Sequence, residues 1–230
     1  MKDIFETHDQ SRQLQRQTPP NVSSRPAVSE IMSPHRLSDL TLPAPMIARL
    51  QKMVETNSPM NMLFYGKVGT GKTSATRLFA DCAKPLFGRA FSVGEGSEVK
   101  NVEPVRTNIS RGLSSVGFKI FVLDGADVVP KAAQQVLPSV IDKAMCHCRF
   151  LFTVNDRSKI IPEIRSRLMP ICFDVKPSDR EEVQKRLIDR YEGKLAEHGI
   201  EHDKRRLIEI VDTSYPDLRS IAQKVYFEFA

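Results

Sequence analysis

The sequence predicts an α/β fold: a five-stranded parallel sheet with flanking helices, followed by a small three-helix lid. Two features lead to that reading. Short, wholly apolar runs recur along the first three quarters of the chain, each closed by a glycine or a polar residue. Strands covered on both faces of a parallel sheet read as such continuous runs, not as alternating ones. Segments with helical spacing separate them, and strand–helix alternation is the signature of a parallel layer. After Lys176 the runs stop and only helical periodicity remains.

Taken in order, residues 1–32 are rich in Gln, Ser, Pro and Arg and poor in apolar side chains, which predicts a disordered tail. Residues 33–176 form the expected α/β domain. Met46, Ile47, Leu50, Met53 and Val54 mark a helix over about 45–56. Met62 to Tyr65 is the first strand, and a helix follows from Ser74 to about Leu86. Residues 90–93 form a second strand, and a polar segment carrying Arg106 and Arg111 comes next. Lys119 to Asp124 is the third strand. A helix over 130–144 contains Pro138, which costs about 3 kcal/mol in a helix interior and predicts a kink or break there. Residues 150–155 and 170–175 are the fourth and fifth strands. The lid, 177–230, opens at Ser178, where Glu181 completes a capping-box pattern. Its second helix begins near Asp203 and its third at Pro216.

Between the first strand and its helix stands Gly66-Lys67-Val68-Gly69-Thr70-Gly71-Lys72-Thr73. The pattern G-x-x-x-x-G-K-[ST] in that position is a phosphate-binding loop. Glycines let the backbone wrap an anion with its N–H groups pointing inward, and the following helix adds its positive N-terminal end. Lys72 supplies charge for the outer phosphates, and Ser74 continues the loop into the helix. Thr73 offers a hydroxyl to Mg²⁺. Asp124 closes an apolar strand about fifty residues later, as the Walker B acid does, and completes the expected metal pair with Thr73. Ligands of doubly wound sheets sit at the carboxyl ends of strands. The loop, Asp124 and Asn155 all fall at such ends, so ATP and Mg²⁺ are the expected cofactors.

The formal charge of +6 suits a nucleic-acid partner without requiring one. No run approaches the length of a membrane span, and the expected location is cytoplasmic. Cys82, Cys146, Cys148 and Cys172 lack a second ligand pair at zinc spacing and read as reduced thiols.

Beyond these features, the chain resembles the AAA+ ATPases, and among them the clamp-loader subunits of replication factor C and its phage equivalents. Residues 34–43 are similar to the family's N-terminal box beside the adenine, which implies a nucleotide contact for Arg36. Residues 91–98 are loosely similar to its "NGSD" turn, and residues 133–137 to its "AQxAL" helix. Thr153-Val154-Asn155 resembles sensor 1, implying that Asn155 senses the γ-phosphate or orients the attacking water. Ile164-Arg165-Ser166-Arg167-Leu168 resembles the "SRC" motif. It implies that Arg167, with Arg165 as second candidate, is an arginine finger acting on a neighbouring subunit. Pro216-Asp217-Leu218-Arg219 resembles the lid's "GDxR" motif and makes Arg219 sensor 2.

The resemblance further implies other AAA+ subunits, a sliding clamp and primer–template DNA as partners, with Arg106 and Arg111 nearest to DNA. Two departures stand out. Gly125 occupies the place of the Walker B glutamate that polarises water, and Leu137-Pro138-Ser139 replaces a basic "LRR". The collar domain of clamp loaders is also expected to be missing after the lid. Three functions therefore stay open: a clamp-loader subunit with weak or absent hydrolysis at its own site, an ATP-gated adaptor that does not hydrolyse, and a small nucleotide kinase.

Overall fold

The computed structural model describes residues 31–87, 90–95, 107, 118–146 and 148–229. The strands are β1 (Met62–Tyr65), β2 (Ala90–Glu95), β3 (Lys119–Asp124), β4 (Cys148–Val154) and β5 (Met169–Cys172). They pair in the order β2-β3-β4-β1-β5, every pairing parallel. Helices α1 (Ala44–Glu55) and α2 (Lys72–Phe87) precede β2. Helices α3 (Lys131–Gln134), α4 (Leu137–Ala144) and α5 (Pro162–Arg165) lie between β3 and β5. Helices α6 (Pro177–Glu197), α7 (Lys204–Ser214) and α8 (Leu218–Phe229) end the chain.

The wholly apolar strands follow from burial on both faces. In β4, Phe150, Phe152 and Val154 point to one side, where α3 to α5 cover them with Ala133, Leu137, Ile141 and Ile164. Leu151 points to the other side and packs with Met62, Phe64 and Ile171 beneath α1 and α2. The period-2 alternation of a strand thus feeds two cores instead of one core and solvent. Phe121 and Phe150 are register partners and stack with centroids 5.5 Å apart. Phe150 meets Phe152 edge-on at 6.3 Å. Phe152 is 1% exposed. Phe152→Ala is therefore expected to destabilise the protein by about 3–5 kcal/mol, measured as a shift of the urea midpoint at unchanged slope.

Proline positions account for several element edges. Pro138 does not kink one long helix. The segment 131–144 is instead two helices, and Pro138 sits in the first turn of α4, where no intrahelical N–H is needed. Pro162 and Pro177 open α5 and α6 in the same way. The capping box foreseen at Ser178 does not form. The N-cap of α6 is Lys176, and the Ser178 hydroxyl donates to Asp179 (2.9 Å) instead. Asp203 does cap α7, accepting from the Arg205 N–H at 2.9 Å. β5 ends at Cys172, three residues short of the expected strand.

Helices α6 to α8 build a third apolar cluster around Leu187, Tyr191, Leu195, Leu207, Val211, Ile221 and Val225. Ile31 and Met32, expected to belong to the tail, are buried in this cluster. The packed chain therefore starts at least two residues earlier than the sequence suggested. Residues 1–30 lie outside the described residues.

Candidate functional site

The loop after β1 is shaped by close backbone approaches. Gly69 has φ +82°, and a Cβ built on it would lie 2.2 Å from Asp217 Oδ1, so only glycine fits beside α8. The Lys67 N–H donates to Asp174 Oδ1 (2.8 Å), which ties the loop to the segment after β5. The Thr70 hydroxyl donates to the Lys67 carbonyl at 2.8 Å. Lys72 is 8% exposed, and its Nζ donates to the Gly66 (2.8 Å) and Lys67 (2.6 Å) carbonyls. Burial pulls the Lys72 pKa below the usual lysine value. The Asp174, Asp127 and Asp124 carboxylates partly oppose that shift.

The Thr73 hydroxyl donates to Asp124 Oδ1 at 3.0 Å. The Thr153 hydroxyl donates to the same oxygen and accepts the Gly125 N–H at 2.8 Å. A hydroxyl and a carboxylate held together are hard oxygen donors of the kind Mg²⁺ takes. Mg²⁺ is commonly held by one or two carboxylates plus substrate phosphates, without a full protein cage. The described residues hold no cluster of three His, Cys, Asp or Glu that would form such a cage. The donor set fits an ion that arrives with a phosphate chain.

A cavity of about 640 Å³ opens in front of these groups. Val68 to Ser74, Asp124, Gly125 and Asn155 are among its lining residues. From the C-terminal helices come Arg190, Tyr191, Leu218, Arg219, Ala222 and Gln223. The two parts touch through the backbone, where the Leu218 N–H donates to the Gly69 carbonyl at 2.9 Å. Asp217 caps α8, accepting from the N–H groups of Arg219 and Ser220, both at 3.1 Å.

Most of the sequence-expected residues converge here, and some do not. Thr73, Asp124, Asn155 and Arg219 all border the cavity. Gly66 and Lys67 hold Lys72 through their carbonyls but do not line it. Arg36 is exposed and also does not line it. Its main-chain N–H, with that of His35, is bound by the Asp39 carboxylate (2.9 and 3.0 Å). That cap turns residues 39–41 toward the cavity and leaves the Arg36 side chain in solvent. Arg167 lies away from the cavity. It forms a two-pronged pair with Asp142 (2.7 and 2.8 Å), and its third nitrogen donates to the Glu163 carbonyl at 2.6 Å. Arg106 and Arg111 lie outside the described residues.

Pro34, Asp39, Leu40 and Thr41, within the segment that the resemblance sets beside the adenine, line the cavity, and so do Met32, Ser33, Arg190 and Tyr191, which sequence reading missed. Tyr191 continues the apolar stripe Val183, Leu187, Tyr191, Leu195 and reads as ordinary core. The available signal was the pair Arg186 and Arg190, one turn apart beside that stripe.

No family model matches the chain. A replication factor C small subunit of Methanococcus maripaludis is 28% identical over 214 residues, covering 86% of this chain and 67% of the relative. That of Picrophilus torridus is 32% identical, covering 69% of this chain and 51% of the relative. Replication factor C subunit 3 of Schizosaccharomyces pombe is 33% identical, covering 63% of this chain and 44% of that protein. Among solved structures, the Holliday junction branch migration motor RuvB of Thermotoga maritima superposes with a TM-score of 0.64 at 16% identity. The match covers 84% of this chain and 63% of RuvB, so the chain spans less than two thirds of that structure's length. The Orc1 protein of Aeropyrum pernix, solved in complex with DNA, gives a TM-score of 0.59 at 20% identity, over 84% of this chain and 60% of Orc1. The chain is thus similar in sequence to replication factor C subunits and in fold to these solved structures, and the likenesses support a clamp-loader-type AAA+ ATPase.

Proposed function

We propose that the protein is an ATP-binding subunit of a sliding-clamp loader-like complex acting in DNA replication, with weak or absent hydrolysis at its own site. The observation that carries this reading is the cavity. It gathers the phosphate loop, Asp124, Asn155 and Arg219 on one nucleotide-sized space, yet has glycine at 125. Residues 33–176 form the nucleotide-binding domain and residues 177–230 act as its lid.

In this reading the Lys72 ammonium and the loop N–H groups hold the β- and γ-phosphates. Thr73 and Asp124 hold Mg²⁺, which supplies charge neutralisation at the phosphate oxygens when bound. Arg219 reads the phosphates from the lid, and because the Leu218 N–H bonds the loop itself, lid position and phosphate occupancy are mechanically linked. Asn155 orients water at the γ-phosphate. Arg167 stands outside its own cavity, as a group serving a neighbouring subunit's nucleotide must. General-base help is absent: Gly125 has no side chain. Asp127 is buried, accepts the Asn155 N–H (3.3 Å) and does not line the cavity.

The test is to measure the mass of the complex by light scattering with and without ATP–Mg²⁺, alone and with a ring-shaped clamp and partner loader subunits. ATP-dependent association, lost in Arg167→Ala while ATP binding is kept, is the expected result. ATP-dependent assembly without turnover, and without engagement of a clamp or loader subunits, would instead indicate an adaptor outside clamp loading.

A further inference from the structure

The peptide between Gly66 and Lys67 is gripped at both poles. It is trans, so its C=O and N–H point in opposite directions across one rigid plane. On one side the Gly66 carbonyl accepts from Lys72 Nζ at 2.8 Å. On the other the Lys67 N–H donates to Asp174 Oδ1 at 2.8 Å. One peptide thus ties the lysine of the phosphate loop to a carboxylate 107 residues further along the chain than Lys67.

The pairing of β1 with β5 puts Asp174 there. Tyr65 and Cys172 are register partners, and the Phe173 N–H donates to the Tyr65 carbonyl at 2.8 Å. The residues that follow, Gly66 and Asp174, come side by side. A Cβ built on Gly66 would lie 3.1 Å from both the Asp174 nitrogen and its Oδ1, so the missing side chain is what admits the carboxylate this close. The next carbonyl, that of Lys67, also holds Lys72 Nζ (2.6 Å) and accepts from the Thr70 hydroxyl (2.8 Å). Asp174 does not line the cavity.

We propose that Asp174 is a positioning residue of the phosphate loop: by holding the Lys67 N–H it fixes the Gly66–Lys67 peptide plane, and with it the carbonyl that seats the Lys72 ammonium. This rests on the nucleotide-binding reading above and adds a residue outside the loop motif on which phosphate affinity depends. Hydrogen bonds in a chain polarise one another, so a carboxylate at the N–H strengthens the carbonyl at the other end of the same peptide as an acceptor. Without that partner the plane turns more freely about its flanking dihedrals, one of which belongs to a glycine, and the ammonium loses a fixed seat. The phosphates then have to order the loop as they bind, and that ordering lowers the affinity. Asp174 is exposed, so water screens its charge towards the phosphates and the acceptor geometry dominates.

Titration calorimetry on the full chain with ATP and with inorganic tripolyphosphate tests this. Asp174→Ala is expected to weaken both ligands about tenfold, the lower end for a hydrogen bond to a charged group, because water competes at an exposed site. Asp174→Asn keeps the Oδ1 acceptor and should stay within about threefold of the parent. Asp174→Glu keeps the charge but carries it one methylene further out, and should resemble the alanine variant. Hydrogen exchange of the Lys67 amide in the nucleotide-free protein should speed up in the alanine and glutamate variants and return to the parent rate with asparagine. Thermal melting checks that each variant is folded; should the alanine variant melt too early to titrate, the asparagine–glutamate comparison decides. An alanine variant that binds both ligands as the parent does overturns the proposal. So does an asparagine variant as weak as the alanine one, since the acceptor is then not what matters. If ATP weakens and tripolyphosphate does not, Asp174 acts on another part of the nucleotide and the proposal fails again. A parent chain that binds neither ligand would overturn the nucleotide reading itself, an outcome distinct from these.

Discussion

Replacing Gly125 with glutamate is expected to raise single-turnover ATP hydrolysis by about 10²–10⁴-fold, the usual contribution of a positioned general base. Gly125 directly follows Asp124 at the end of β3 and borders the cavity. A Cβ built there meets nothing within 4 Å, so a carboxylate can enter without displacing a neighbour. The opposing effect is backbone strain. Gly125 has φ +66°, and an L residue in that left-handed region costs about 1–2 kcal/mol. A gain of 10²–10⁴ in rate corresponds to about 2.7–5.5 kcal/mol in the barrier, so catalysis gains even where stability falls. The two effects separate experimentally. Gly125→Ala should lower the melting temperature about as much as the glutamate variant, with no gain in rate. Quench-flow measurement with enzyme in excess over ATP isolates the chemical step. A Gly125→Glu protein that binds ATP as before and hydrolyses no faster would remove the explanation offered for a slow site.

The parts of this molecule that were legible in the sequence are those set by local, strongly directional rules. The phosphate loop is written in contiguous residues because glycine geometry and a helix N-terminus must follow each other along the chain. The apolar strands are legible because a sheet buried on both faces tolerates little else, and the break at Pro138 follows from the missing N–H. The illegible parts depend on distant contacts. The role of Asp39 as a cap, which leaves Arg36 in solvent, depends on how a five-residue turn closes. The grip of Arg186 and Arg190 on the Leu42 and Asp39 carbonyls depends on α6 returning across residues 39–42, 144 and 151 residues away along the sequence. Asp142 reaching Arg167 is likewise a tertiary pairing that neither residue announces. Ser178 shows the reverse case: a local pattern overruled, because the helix already starts at Pro177, with its N-cap at Lys176, two residues before Ser178.

Lys72→Ala is expected to weaken ATP binding by about 10²–10³-fold, because charge-assisted hydrogen bonds contribute about 1.5–3 kcal/mol each and Nζ can give two or more to phosphate oxygens. Those donors already serve the Gly66 and Lys67 carbonyls, so the net gain on binding is smaller than the gross strength of the new bonds. The loss should still be large, since Lys72 is nearly fully buried and water screens its charge poorly there. Lys72→Arg should not restore affinity: the slot between two loop carbonyls suits a compact ammonium, not a planar guanidinium. Because burial lowers the Lys72 pKa, ATP affinity should begin to fall with rising pH before the usual lysine value is reached, as the charged form is lost. The signature that identifies the phosphate side is the tripolyphosphate titration. Lys72→Ala must weaken tripolyphosphate and ATP alike. If Lys72→Ala leaves tripolyphosphate binding within about threefold of the parent, well under the worth of one charge-assisted bond, the loop is not the phosphate site.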